Sequence, residues 1–150
     1  MPVLEKKMDL WSGPADLRVI TTNPITRGRD GAAVMGRGCA LEAKGRLPGI
    51  EYEFGRLLNE YGNRVMRFDT NWTWRDARIA TFPVKLHWRE EARIELIERS
   101  AHQLVRLADK FFYGNVLLPR PGCGNGRLRW QDVRSVLEAI LDDRFTVVHK

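Results

Sequence analysis

Apolar positions along this chain follow two periods, and the period changes several times. Leu17-Arg18-Val19-Ile20-Thr21-Thr22 is a short β-branched run and predicts a buried strand. Arg64 to Phe68, Arg78 to Phe82, Val116 to Leu118 and Phe145 to Val148 have the same character, and a fainter signal over Val3 to Leu10 predicts an additional strand. Helical spacing is clearer. Between Glu90 and Lys110, the residues Ile94, Ile97, Ala101, Leu104, Val105 and Ala108 fall on one face. From Trp130 to Leu141, Val133, Val136, Leu137, Ile140 and Leu141 keep i, i+3, i+4, i+7, i+8 spacing. Cys39 to Tyr61 reads as helix in two parts, broken at Pro48-Gly49 because proline cannot continue the hydrogen-bond ladder. Strands alternating with helices predict an α/β fold, a three-layer α/β/α sandwich around a mixed, largely parallel sheet. In such folds ligands sit beyond the carboxyl ends of strands, where the strand order reverses.

Two glycine-rich loops occupy such strand ends. The first runs from Asn23 to Gly38, closing on Met35-Gly36-Arg37-Gly38 just before a predicted helix. It is long for a connection in a compact domain, and loops of that length are functional or disordered. Glycines allow close approach of backbone to ligand, and a helix start offers unpaired N–H groups and a positive dipole end. The second loop, Pro119-Arg120-Pro121-Gly122-Cys123-Gly124-Asn125-Gly126, lies between the Val116–Leu118 strand and the helix near Trp130. Either loop alone could be a tight structural turn. Two of them, each at a strand's carboxyl end, point to a diphosphate gripped from both sides. Neither matches the Walker or the dinucleotide fingerprint: no GxxxxGK[ST] occurs, and Ala40 and Leu41 follow Gly38 where GxGxxG would need otherwise.

Composition narrows the picture only a little. With 150 residues, 43% hydrophobic and 29% charged, the chain is expected to form a single domain over residues 1–150 with a proper core. No apolar run reaches membrane-span length and the first residues lack a signal-like apolar stretch, so a cytoplasmic location is the default expectation and no membrane partner is expected. Cys39 and Cys123 make no disulfide framework. His87, His102 and His149 are scattered without accompanying acids, so no metal and no cofactor are expected. The net charge of +6 favours an anionic partner, although the basic residues are interspersed with acids.

The two loops resemble those of the macro domain family, and the resemblance extends over nearly the whole chain. Asp9-Leu10-Trp11-Ser12 is similar to the segment that opens macro domains, and Thr22-Asn23 to the site of an asparagine near the distal ribose. Gly36-Arg37-Gly38-Cys39-Ala40-Leu41-Glu42-Ala43-Lys44 resembles the Gly-x-Gly-Ile-Ala segment of one branch. That branch holds the terminal ADP-ribose glycohydrolases and the DNA-ADP-ribosyl glycohydrolase antitoxins. Pro121 to Gly126, followed by Leu128 and Trp130, is similar to that branch's second phosphate loop, and Phe82-Pro83-Val84-Lys85-Leu86-His87-Trp88 resembles a segment of the antitoxin-like members.

The resemblance implies a macro domain that binds ADP-ribose. Asp9, with Leu10 beside it, would accept from the adenine amino group, and Thr22 and Asn23 would meet the distal ribose. Met35, Gly36, Arg37, Gly38 and Cys39 would border one phosphate, and Pro121, Gly122, Cys123, Gly124, Asn125 and Gly126 the other. Read as residues alone, Asp9 fits a cap, Asn23 a turn, Cys123 a packed small side chain and Trp130 the core. Lys44, six positions after Gly38, aligns with the lysine that the branch uses against the anomeric carbon, and a desolvated amine can attack there. A solvated helical lysine is the alternative. His87 is an accessory acid or base, or a structural histidine.

Protein-directed members carry an acid in the second loop where this chain has Gly126, whereas the DNA-directed antitoxins have a Gly-Asn-Gly loop more like this one. The expected activity is therefore hydrolytic removal of ADP-ribose from a modified macromolecule, a DNA base before a protein, by a free-standing monomer. Two other functions remain open on the same scaffold: an ADP-ribose 1″-phosphate phosphatase, and a reader that binds ADP-ribose without catalysis.

Overall fold

The computed structural model describes residues 3–68 and 77–150. Along these residues run β1 (Leu4–Lys7), β2 (Leu17–Thr22), α1 (Gly38–Arg46), α2 (Ile50–Tyr61), β3 (Ile79–Pro83), α3 (Ile94–Phe111), β4 (Val116–Leu118), α4 (Trp130–Glu138) and β5 (Phe145–His149). The strands form one sheet in the order β1-β5-β4-β2-β3, with every pairing parallel.

Side-chain alternation along the strands builds a core on each face. Leu17 and Val19 of β2, Val116 and Leu118 of β4, and Phe145 and Val147 of β5 join Ile97, Ala101 and Leu104 of α3 and Val133 and Leu137 of α4. The intervening positions Ile20, Leu117 and Val148 join Ala40 and Ala43 of α1 and Ile50, Phe54 and Leu57 of α2. The helices therefore cover the two faces in pairs, giving the α/β/α layering. Phe54 packs edge-on against Phe68 with ring centroids 6.0 Å apart.

Several boundaries differ from expectation, each for a local reason. The faintly signalled N-terminal strand exists as β1, paired with β5 from Leu4–Thr146 to Lys7–His149. The predicted strand over Arg64 to Phe68 does not form; that stretch makes one isolated antiparallel bridge, Arg67 to Ala80. Backbone bonds from Thr81 N–H to the Met66 carbonyl at 2.9 Å and from Phe68 N–H to the Ile79 carbonyl at 3.4 Å accompany that bridge, and side chains take the other positions. Met66 N–H donates to Thr81 Oγ1 at 3.0 Å, that hydroxyl donates to the Arg64 carbonyl at 2.9 Å, and Val65 N–H donates to Gln103 Oε1 at 2.9 Å. The sheet's mixed character is thus confined, among the described residues, to this one bridge. β3 starts after Arg78 because Arg78 is left-handed, at φ 54°. α3 starts at Ile94 rather than Glu90, since Ala92 and Arg93 N–H donate to the carbonyls of Gly126 and Val84 and must stay extended. α4 ends at Glu138, and Leu141 is buried just beyond it.

This topology creates a crevice at one sheet edge. The chain leaves β2 through α1 and α2 on one face to reach β3, and leaves β4 through α4 on the other face to reach β5. Adjacent strands whose connections depart to opposite faces are the topological switch point of a parallel sheet. β2 and β4 pair only at Leu17–Val116 and Arg18–Leu117, so they part beyond those positions towards their carboxyl ends.

Candidate functional site

A cavity of about 520 Å³ opens at that edge, within the usual range for a small-molecule site. Every strand end contributes to its wall: Met8 to Leu10 after β1, Thr22 and Asn23 at β2, Val84 and Lys85 after β3, Pro119 and Arg120 after β4, and Val148 to Lys150 at β5. The two glycine loops close it from opposite sides. Met35, Gly36, Arg37, Gly38 and Cys39 come from the first, and Gly122, Gly124, Asn125 and Gly126 from the second. The loops nearly touch, since a methyl on Gly38 would lie 3.6 Å from Asn125 Nδ2.

Both loops are shaped for backbone donation. Arg37 caps α1 in an extended conformation and no side chain caps the helix, so its first-turn N–H groups face the cavity without a side-chain acceptor. In the second loop Gly122 is left-handed at φ +74°. Gly126 is required by space: a Cβ there would lie 2.5 Å from the Gly122 carbonyl oxygen and 2.7 Å from Ala92 Cβ. A loop acid in place of Gly126 has no room in this backbone.

Predicted site residues separate into those on the wall and those off it. Asp9 lines the cavity, with one carboxylate oxygen accepting from Trp11 N–H at 3.3 Å. Asn23 lines it too, but its side chain is held inside its own loop: Nδ2 donates to the Val34 carbonyl at 3.2 Å, and Oδ1 accepts from Ile25 N–H at 3.0 Å. Thr22 is buried and its hydroxyl has no partner among the described residues. Cys39 borders the cavity with its sulfur accepting from Thr21 N–H at 3.3 Å, and burial pushes its thiol up, away from thiolate chemistry.

Pro121, Cys123, His87 and Lys44 are not among the lining residues. Pro121 is buried beneath the loop. Cys123 packs against the core, and burial pushes its thiol up to about 11 against the lowering influence of Arg120. His87 Nδ1 accepts from Arg89 N–H at 3.1 Å and its ring stacks on Trp88, centroids 5.5 Å apart. Trp130 is half-buried against the core, donating to Glu5 Oε1 at 3.0 Å. For Lys44 the reason is helix geometry. Six residues advance about 9 Å and about 600°, leaving it roughly 240° round from Gly38. Glu42, four residues after Gly38, returns to the cavity side and does line it.

Among the described residues, two amines line the wall: Lys150, paired with Glu42 at 3.6 Å and largely exposed, and the buried Lys85. Just past β3, Lys85 is only 8% exposed, and its Nζ donates to the carbonyls of Trp88 and Asn125, both at 3.3 Å. Burial pushes its ammonium below the ordinary lysine value, and the positive charges of Arg37 and Arg127 push the same way. The residue was visible in sequence within the Phe82–Trp88 segment, but its contact with Asn125, 40 positions away, was not. Among the described residues, no group of three His, Cys, Asp or Glu side chains could hold a metal ion. No described helix is long and apolar enough to cross a membrane.

No family model matches the chain. Curated relatives and solved structures do. The macrodomain of Mycobacterium tuberculosis DarG superposes with a TM-score of 0.78 at 25% identity, covering 99% of this chain and 97% of that one. The chain is a macro domain that resembles those of DarG. The macrodomain of Thermus aquaticus DarG gives a TM-score of 0.75 at 28% identity, over 99% and 97% of the two chains. Thermosipho africanus DarTG in complex with ADP-ribose gives 0.66 at 22% identity, covering 87% of this chain and 36% of that one, and this supports the fold alone. In sequence, a DNA ADP-ribosyl glycohydrolase of Thermus aquaticus is 29% identical over 138 residues, covering 89% of this chain. One of Mycobacterium tuberculosis is 30% identical over 128 residues, covering 83%. The macro domain spans 36% of the length of either relative.

Proposed function

We propose that this macro domain binds ADP-ribose across its two loops and hydrolyses it from a nucleic-acid base, with Lys85 as the attacking amine. The observation that carries this reading is a buried lysine on the cavity wall, tied to the loop that would hold the diphosphate. The pyrophosphate lies between the uncapped start of α1 and the Gly122–Gly126 loop, adenine towards Asp9, and the distal ribose towards Thr22 and Lys85. A depressed pKa raises the neutral fraction of the amine. A neutral amine has two N–H bonds, which the carbonyls of Trp88 and Asn125 accept, and its lone pair is left for attack.

The amine bonds to the anomeric carbon while the glycosidic bond breaks, its electrons leaving with the base. The proton lost by nitrogen is taken up by the departing base. Water then adds at the same carbon, restoring the amine and releasing ADP-ribose. Crowding at Gly126 favours this route over one that depends on a second-loop acid. The names of the relatives, DNA ADP-ribosyl glycohydrolases, favour a DNA base as the leaving group.

The test is turnover of an ADP-ribosylated oligonucleotide by the wild type, Lys85→Ala and Lys44→Ala, alongside calorimetry with ADP-ribose. Lys85→Ala is expected to abolish turnover and keep binding, and Lys44→Ala to keep both. Loss of turnover in Lys44→Ala alone returns the role to Lys44. Phosphate release from ADP-ribose 1″-phosphate that is indifferent to both lysines identifies a phosphatase. Binding with no turnover of any substrate identifies a reader.

A further inference from the structure

Two arginines stand beside Lys85 and a third lies against the neighbouring Trp88 ring. Arg37 stands at the start of α1 and lines the cavity. Arg127 follows Gly126 in the second loop, exposed, and is one of the few non-glycine residues held left-handed, at φ 65°. Arg89 is exposed with its guanidinium 4.7 Å from the Trp88 ring centre. Arg37 and Arg127 are near enough to Lys85 to act on its charge. Among the described residues, none of the three has a carboxylate within ion-pairing distance, which is also true of arginines elsewhere such as Arg29, Arg46, Arg106 and Arg129; what sets these three apart is their place next to Lys85 and Trp88 in the chain or in space. Unpaired like charges repel one another, and a left-handed arginine costs about 1 kcal/mol or more over glycine. Strain at Arg127 and like charge next to Lys85 mark a surface suited to an anion outside the fold.

Aromatic surface is interleaved with that charge. Trp88 lines the cavity, His87 stacks on it with ring planes 27° apart, and Arg89 lies against the same ring. Flat π surfaces among arginines are the pattern that grips single-stranded nucleic acid: phosphates meet the cations and bases stack on the rings or guanidinium planes. Lys85 is 8% exposed, so a base joined to the sugar it attacks must leave a duplex stack to get there.

We propose that Trp88, Arg89, Arg127 and Arg37 form a docking surface for the single strand flanking the modified base, at the Lys85 end of the cavity. Arg89 and Arg127 hold the backbone phosphates on either side of the target nucleotide. Arg37 faces both the cavity and this surface. The inference rests on the nucleic-acid reading of the site and adds to it the residues that carry the strand.

The experiment uses Arg89→Gln combined with Arg127→Gly. Glycine relieves the left-handed strain, so the second loop keeps its shape while the charge is removed. The probe is an unmodified single-stranded oligonucleotide of about 12 nucleotides, long enough to cover a typical single-strand site, followed by fluorescence anisotropy across a salt series. The double variant is expected to bind it about tenfold more weakly. Its log K against log salt slope should be shallower by about 1.4, since each lost phosphate contact on a single strand contributes about 0.7. ADP-ribose affinity by calorimetry stays within twofold. On an ADP-ribosylated mononucleoside KM holds while kcat at neutral pH falls, because losing the Arg127 charge lets the Lys85 pKa rise; on an ADP-ribosylated oligonucleotide kcat falls by the same factor and KM rises as well. Equal oligonucleotide affinity and slope in the two proteins overturns the docking surface, as does equal wild-type affinity for the matching duplex. Lys85→Ala serves as the third arm. Wild-type turnover that depends on Lys85, with strand binding indifferent to the two arginines, defeats the surface alone. Absence of wild-type turnover defeats the hydrolase reading, while the anisotropy still decides the surface.

Discussion

Replacing Gly126 with alanine tests whether the second loop's shape depends on absent side chains. The new methyl would sit 2.5 Å from the Gly122 carbonyl oxygen, where ordinary contact begins at 3.4 Å, so the backbone must open by 3.4 − 2.5 = 0.9 Å. Neither neighbour yields easily. Gly122 O accepts from Leu128 N–H at 2.9 Å, and Gly126 O accepts from Ala92 N–H at 3.0 Å, which also holds the extended lead-in to α3. Overpacking of this kind costs about 1–3 kcal/mol, and weakening two such hydrogen bonds adds roughly 0.5–1 kcal/mol each. A total near 3 kcal/mol lowers Tm by about 6–12 °C in a domain of this size. The control is Gly124→Ala, whose Cβ meets nothing within 4 Å and whose φ is not positive. That variant is expected to melt within about 2 °C of the wild type, as open-surface substitutions do. Thermal denaturation followed by circular dichroism measures both. Equal melting temperatures for the two variants would refute the packing argument. The same movement displaces the loop's donors by about 1 Å, so ADP-ribose affinity in Gly126→Ala should fall by an order of magnitude or more, the equivalent of one charge-assisted hydrogen bond.

Three further outcomes follow from the site and its surroundings. Thr22→Val keeps the shape of a buried side chain and removes a hydroxyl that has no partner among the described residues, so Tm should hold or rise while ADP-ribose affinity falls; unchanged affinity by calorimetry would remove Thr22 from the site. Single-turnover rates should rise with pH through the Lys85 pKa and level off above it, with a midpoint below the ordinary lysine value of 10.5, because the neutral amine is the reactive form. A rate that falls over that range would contradict the nucleophile. At the other end of the sheet, the Arg144 hydrogen bond holds the Asp142 carboxyl below its ordinary 3.8. Its contribution is therefore complete above pH 3.8 and is lost as pH falls through the lower folded value. Asp142 is half exposed, so Asp142→Asn should cost well under 1 kcal/mol at neutral pH, and urea denaturation of the two proteins should converge in acid.

Local patterns carried much of the fold. Periodicity placed the faces of α3 and α4 because a helix buries what its own spacing lines up, and Pro48-Gly49 divides α1 from α2 where the ladder cannot continue, with Gly49 left-handed at φ 94°. The glycine loops were legible for the same reason: strand, loop and helix start are neighbours along the chain, and most of their predicted residues line one cavity. Tertiary structure decided what depends on distant partners. The stretch at Arg64–Phe68 keeps only a short antiparallel pairing with β3 and gives its remaining donors to the Thr81 hydroxyl and to Gln103, 38 positions away from Val65. Asn23 turned its amide into its own loop, towards Val34 and Ile25. Which lysine borders the cavity also depends on distant partners. The resemblance pointed to Lys44, but its helix turns it round from the cavity wall. Lys85 faces the site because a parallel sheet sets the end of β3 beside the end of β2, with the loop after β4 closing over both. Contacts of that kind are fixed by strand order, which no local window of sequence contains.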